Sequence, residues 1–199
     1  PNAMRACSAE GLLETLMDSD EKLQVIQKQL DAYLETKRMV FPRFYFLSND
    51  DLLEILGQQK DPKQVQKHIK KCFVGIKRLQ LIDPHTPGVN NLTIEAVGMV
   101  SPDGEELLAN ENVVVDGPVE MWLILIEEMM RLAVRKWLRD SVMAFKATKK
   151  KEKWVKMYHG QLLITTGAIM WTADCARALN QIANGKKKAM RHLKKQQAR

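Results

Sequence analysis

Apolar residues recur at three- and four-residue steps along most of this chain, and one window, Ile82–Gly117, breaks that period. The contrast constrains the fold more than any single motif does. A helical period buries one stripe against other helices, whereas β-branched runs between turn signals pair as strands. Leu12, Leu13, Leu16, Leu23, Ile26, Leu30, Tyr33 and Leu34 predict an amphipathic helix over about Ala9–Thr36. Phe41-Pro42 ends it, because proline pushes the preceding residue out of the α region. The following Arg43-Phe44-Tyr45-Phe46-Leu47 reads as a short, extended, buried connector.

Ser48 then caps a second helix, with Asp50 and Asp51 at the positive end of its dipole and Leu52, Leu53, Ile55 and Leu56 on its apolar side. Asp61-Pro62 opens a third, which Val65, Ile69, Cys72, Phe73, Ile76 and Leu79 carry to about Leu81. Asp83-Pro84, Pro87-Gly88 and Asn90-Asn91 mark turns before Leu92-Thr93-Ile94 and Val97–Val100, the only strand-like region. Ser101-Pro102-Asp103-Gly104 supplies a tight turn and Val113–Val115 the returning strand, so a β-hairpin is predicted at about 92–115. Asp103 and Glu105 lack the further alternating oxygen ligands of a calcium loop.

Gly117-Pro118 leads into a long helix striped by Val119, Trp122, Leu123, Ile126, Met129, Met130, Ala133, Trp137 and Val142. Beyond a lysine cluster, Trp154, Tyr158, Leu162, Ile169 and Leu179 predict one further helix, with Gly160 and Gly167 permitting close packing. The expected fold is therefore mainly α: an elongated multi-helix bundle with a small inserted antiparallel β-hairpin.

The composition narrows the function. The longest apolar stretches, such as Met121–Ile126 and Leu162–Trp171, are too short to span a bilayer. Pro1–Met4 carries no secretion signal, so residues 1–8 read as an expression remnant or disordered start of an intracellular protein. Cys7, Cys72 and Cys175 are too scattered for a disulfide framework or a CxxC site, and His68, His85, His159 and His192 show no metal-binding spacing. No metal or other cofactor is expected.

The formal net charge of +7 is unevenly spread. Residues 146–199 hold 14 Lys/Arg against Glu152 and Asp174, leaving the first 145 residues acidic overall. Lys146–Lys156 and Lys186–Lys195 form two basic blocks, and residues 185–199 read as a basic tail. Such blocks are either solvated helix faces or contacts for an acidic protein, phosphate or nucleic acid.

Several runs carry a family resemblance. Tyr33-Leu34-Glu35-Thr36-Lys37-Arg38 leads into Phe41–Leu56, and further matches fall at Lys71-Cys72-Phe73 with Gly75-Ile76 and at Ser101 with Gly104-Glu105. Gly117 with Val119-Glu120 and Trp122-Leu123, then Gly160-Gln161 with Trp171-Thr172, continue the series. In this order they resemble the linker region of dynein heavy chains, over roughly residues 12–180. Phe46–Asp50 resembles the axonemal type, while His159 stands where the family commonly has proline.

The resemblance implies that residues 9–184 are the C-terminal half of the linker, a helical arm lying across an AAA+ ring and bending during the ATP cycle. It implies partners in cis, namely the ring and the rest of the linker, and dynein complex subunits indirectly. Microtubules would be met only through the parent motor, in a ciliary or flagellar axoneme, with neither a membrane nor a specific nucleic acid as partner. ATP and Mg²⁺ would belong to the ring, because this chain has no GxxxxGK[ST] phosphate loop, and no catalytic residue is expected here.

The structural or docking candidates are Phe41, Pro42, Arg43, Phe44, Tyr45, Phe46, Trp122 and Trp171. Arg43, charged within an aromatic run, is expected to clamp a carboxylate or backbone acceptors, with ring contact as the rival role. The alternative to a motor segment is a helical scaffold or adaptor that binds an acidic partner through the basic blocks.

Overall fold

A computed structural model describes residues 10–58, 61–84, 93–148, 150–186 and 188–197. The expected N-terminal remnant at 1–8 lies outside the described residues, as do Leu92 and the turns at 87–91. The fold is mainly α with a small antiparallel sheet. Among the described residues no helix is long and apolar enough to cross a membrane.

Helix α1 spans Leu12–Val40, four residues past its expected end. The apolar pattern stops at its last buried residue, Leu34, but each added residue still gains a backbone hydrogen bond until proline intervenes. Phe41 is extended (φ −126°, ψ 94°), as a residue before proline should be. The connector itself is not extended: Pro42–Phe46 is a 3₁₀ turn. Phe44 N–H donates to Phe41 O (3.0 Å) and Leu47 N–H to Phe44 O (3.1 Å). With three residues per turn, Phe41, Phe44 and Leu47 all point inward while Tyr45 and Phe46 point out.

Helix α2, Asn49–Gly57, starts as expected, with Ser48 Oγ accepting from the Asp51 N–H (3.1 Å). Helix α3 is Pro62–Cys72, capped by Asp61, and it ends well short of Leu81. Ile76 and Leu79 are buried, but in a turn and in strand β1, Arg78–Ile82. Gln66 of α3 holds the strand beside the helix: its amide donates to Leu79 O (3.0 Å) and accepts from Leu79 N–H (2.9 Å). A helix side chain thus satisfies the strand's backbone, which periodicity cannot reveal.

Strands β2, Glu95–Val100, and β3, Glu106–Val114, form the expected hairpin, and β1 adds to it in the antiparallel order β1-β2-β3. Strand material is therefore not confined to residues 82–117. Gly104 takes φ 87° in the turn, where a side chain would be strained. Gly98 sits where both ladders shift register, and a Cβ there would come within 2.8 Å of Leu107 O.

Helix α4, Val119–Ala147, lays its stripe over the sheet, burying Val119, Trp122, Leu123, Ile126, Met129 and Ala133. The single helix expected around Trp154–Leu179 is instead two, α5 at Lys151–Val155 and α6 at Gly160–Ala183. His159 is extended between them, and Gly160 N–H at the start of α6 is taken by the Glu105 carboxylate of the hairpin turn (2.9 Å). Ile169 and Leu179, assigned to the apolar side, are exposed, and α6 buries Leu162, Thr166 and Ala178 instead. Helix α7, Ala189–Gln197, folds back on α6 through Ala189 and Leu193 against Ala178.

Candidate functional site

The connector is where the helices converge. Phe41 packs edge-on to Phe44, with ring centres 5.0 Å apart, and at 6.1 Å from Phe73, so three aromatic rings fill the space between α1, the 3₁₀ turn and the end of α3. Around them runs a set of charged contacts. Arg43 reaches Glu127 of α4 through Nε (3.2 Å) and a terminal nitrogen (3.4 Å), while its other terminal nitrogen donates to Cys72 O (3.2 Å). Its guanidinium also lies 4.7 Å from the Phe73 ring centre. This is the expected carboxylate and backbone clamp, and it joins the connector, α3 and α4 through one side chain.

The same carboxylate accepts from Arg131 (2.8 Å), and the Arg43 hydrogen bond above all holds Glu127 below the usual carboxylate range. Lys37 of α1 pairs with the buried Glu120 of α4 at 2.5 Å, which raises the lysine pKa despite its partial desolvation. Arg38 donates to Asn49 Oδ1 (2.7 Å) and lies over Tyr45, whose hydroxyl donates to Glu35. Burial pushes the Cys72 thiol up to about 11, which removes it from nucleophilic chemistry at neutral pH.

The sequence candidates separate into two groups. Phe41, Phe44 and Trp122 are enclosed and act as packing, and Arg43 is half-buried as a clamp. Pro42, Tyr45, Phe46 and Trp171 face outward, with Phe46 71% exposed. Trp171 lies far along α6 from the connector in sequence, so the candidates do not form one uninterrupted run.

Residues 1–141 match the family model described as "Dynein heavy chain, N-terminal region 2". The chain is 51% identical over 194 residues to the Dynein-1-beta heavy chain, flagellar inner arm I1 complex, of Chlamydomonas reinhardtii, an alignment covering 98% of this chain. It is 50% identical over 179 residues to Dynein axonemal heavy chain 2 of Mus musculus, covering 89% of this chain. The chain belongs to the dynein heavy chain family. It spans 4% of the length of each of these relatives.

Within this dynein segment the family model ends at Ser141, inside α4, whereas the similarity to the Chlamydomonas chain covers 98% of the sequence. One cluster of this segment escaped the sequence analysis. Asp51 and Glu54, one turn apart on α2, face His68 of α3, with Nδ1 3.6 Å from Asp51 Oδ1 and Nε2 3.4 Å from Glu54 Oε2. Lys71 holds the second Asp51 oxygen at 2.7 Å and is the largest cause of that carboxyl's lowered pKa. The i, i+3 carboxylates were legible, but their meeting with His68 depends on how α2 packs against α3.

Proposed function

We propose that this segment belongs to the linker of an axonemal dynein motor, in the half nearer the ATPase ring. It acts there as a stiff helical arm that docks on the ring and transmits ATP-driven conformational change to microtubule-based movement. The observation that carries this reading is the connector. A lever transmits displacement only if its joints resist bending, and here Arg43–Glu127 and Lys37–Glu120 tie α1, the 3₁₀ turn and α3 to α4 around an aromatic core. The axonemal setting is supported by the names of the relatives. On this reading ATP and Mg²⁺ belong to the ring, the segment catalyses nothing, and the outward Tyr45 and Phe46 are its docking side chains.

The test is binding of this chain to the matching motor ring with its own linker removed, in different nucleotide states and over a salt series. Binding should depend on nucleotide, and Phe46→Ala should weaken it without changing the circular dichroism of the chain. Equal binding in every state, or none, would overturn the docking role. A second reading, an adaptor for an acidic partner, draws on α7, which buries Leu193 and leaves Arg191, Lys194 and Lys195 exposed, with Lys188 exposed in the turn before it. It predicts capture of acidic polypeptide that weakens steeply with salt.

A further inference from the structure

We propose that Asp51, Glu54 and His68 form a site for a divalent transition-metal ion of the zinc class, which would pin α2 to α3. The three residues offer one imidazole nitrogen and two carboxylate oxygens, all within 4.8 Å of one another. That donor set suits a zinc-type ion held by three protein ligands, with a fourth position for water. His68 is the independent indication. Its side chain is 8% exposed, yet neither ring nitrogen has a hydrogen-bond partner among the described residues. A buried polar ring left in this state is costly unless something else meets it.

A proton is the simplest alternative occupant, since an imidazolium could lie between the two carboxylates. Its charge-assisted hydrogen bonds would close to about 2.7–2.9 Å. The observed separations of 3.6 and 3.4 Å are longer. They start from different ring nitrogens, so one of them at most is an edge of a tetrahedron built on metal–ligand bonds of 2.0–2.1 Å, which is about 3.3 Å, and the other carboxylate must turn toward the ligating nitrogen. One ring nitrogen would serve as ligand, and Glu54, whose side chain is 44% exposed, has the freedom to swing onto it. Asp51 Oδ2 is already fixed by Lys71, so Oδ1 is presented in a defined direction, as an oriented ligand should be. The exposed side of Glu54 gives the ion its path from solvent.

The experiment uses the 199-residue chain, stripped with chelator and held near neutral pH. One equivalent of Co²⁺ should produce visible d–d absorption, and Zn²⁺ at about a hundredfold excess over its Kd should raise Tm by about 5–10 °C. His68→Gln should abolish both responses. If that variant fails to fold, Glu54→Gln, on the solvent side, should still weaken Zn²⁺ binding at least tenfold. An absent or unsaturable response would overturn the proposal, as would a response undiminished in both variants. A Tm that ignores metal but rises on acidification from pH 8 to 6, in the parent chain and not in His68→Gln, would assign the pocket to a proton instead.

Discussion

Around the connector, helices are held by large buried side chains and part-buried ion pairs, whereas α6 and α7 meet through Ala178, Ala189 and Leu193, with Cys175 alongside. The difference is one of energy per contact. Burying a Phe or Leu side chain stabilises by about 1.5–3 kcal/mol, while an alanine methyl offers far less area at about 25 cal/mol per Å². Between the two regions, α4 and α6 are joined by Thr166 donating to Ser141 (2.9 Å), with Trp154 Nε1 bound to Ser141 O (3.1 Å). Stiffness is therefore concentrated at the connector, and the C-terminal helix pair is the part that opens first.

Phe44→Ala should have the largest effect, because it removes a fully buried ring packed edge-on to Phe41 at the joint. A loss of about 3–5 kcal/mol in urea unfolding is expected, and a loss under 1 kcal/mol would show that the joint is not the rigid element. Lys37→Met comes next, since it leaves the buried Glu120 carboxylate without its cation. About 2–3 kcal/mol should be lost, and adding Glu120→Leu should restore part of it.

Leu193→Ala sharpens the contrast from the other side. Hydrogen exchange across residues 189–197 should speed up by an amount equivalent to about 1–2 kcal/mol, with protection at the connector unchanged. Equal loss in both places would mean that the two regions unfold as one. Acid titration gives a smaller effect. Arg43 depresses the Glu127 pKa, so the ionised carboxylate favours the fold. That contribution is complete above the ordinary carboxylate value, near pH 4.3, and fades as pH falls through the lower folded value. For so accessible a pair it amounts to about 1 kcal/mol or less. Glu127→Gln should flatten this part of the Tm–pH curve. Smallest of all, Leu23→Lys on the exposed face of α1 should change stability by no more than about 0.5 kcal/mol, although Leu23 belongs to the same sequence stripe as Leu34.

That last pair shows how far a pattern can be read. Leu23 is 63% exposed and Leu34 is 1% exposed, yet their spacing in the sequence marks both as core. Periodicity reports which residues share a helix face, but burial requires another element to arrive there, and only the C-terminal end of α1 meets the connector and α4. Local chemistry was legible at the caps and breaks, though not in the connector, where Pro42–Phe46 is a 3₁₀ turn rather than the expected extended run. Ser48 and Asp61 cap their helices, Phe41 turns extended before Pro42, and the Pro102–Gly104 turn closes the hairpin. The Arg43 clamp was legible as a need, since a guanidinium in an aromatic run demands acceptors.

The sequence by itself determined the helical character, the proline breaks, the hairpin and the family, because each depends on residues close together in the chain or on runs of identity. Tertiary structure decided what those signals could not reach. Gln66 met the Leu79 backbone and held its strand beside α3, and Glu105 met the start of α6 beside the extended His159. Glu127, 84 residues away, became the acceptor for Arg43, and His68 met Asp51 and Glu54 across a helix pair. Each of these is a polar contact between distant segments. Its partner is selected by packing geometry and by the cost of leaving a buried donor or acceptor unpaired, quantities that exist only once the chain has folded.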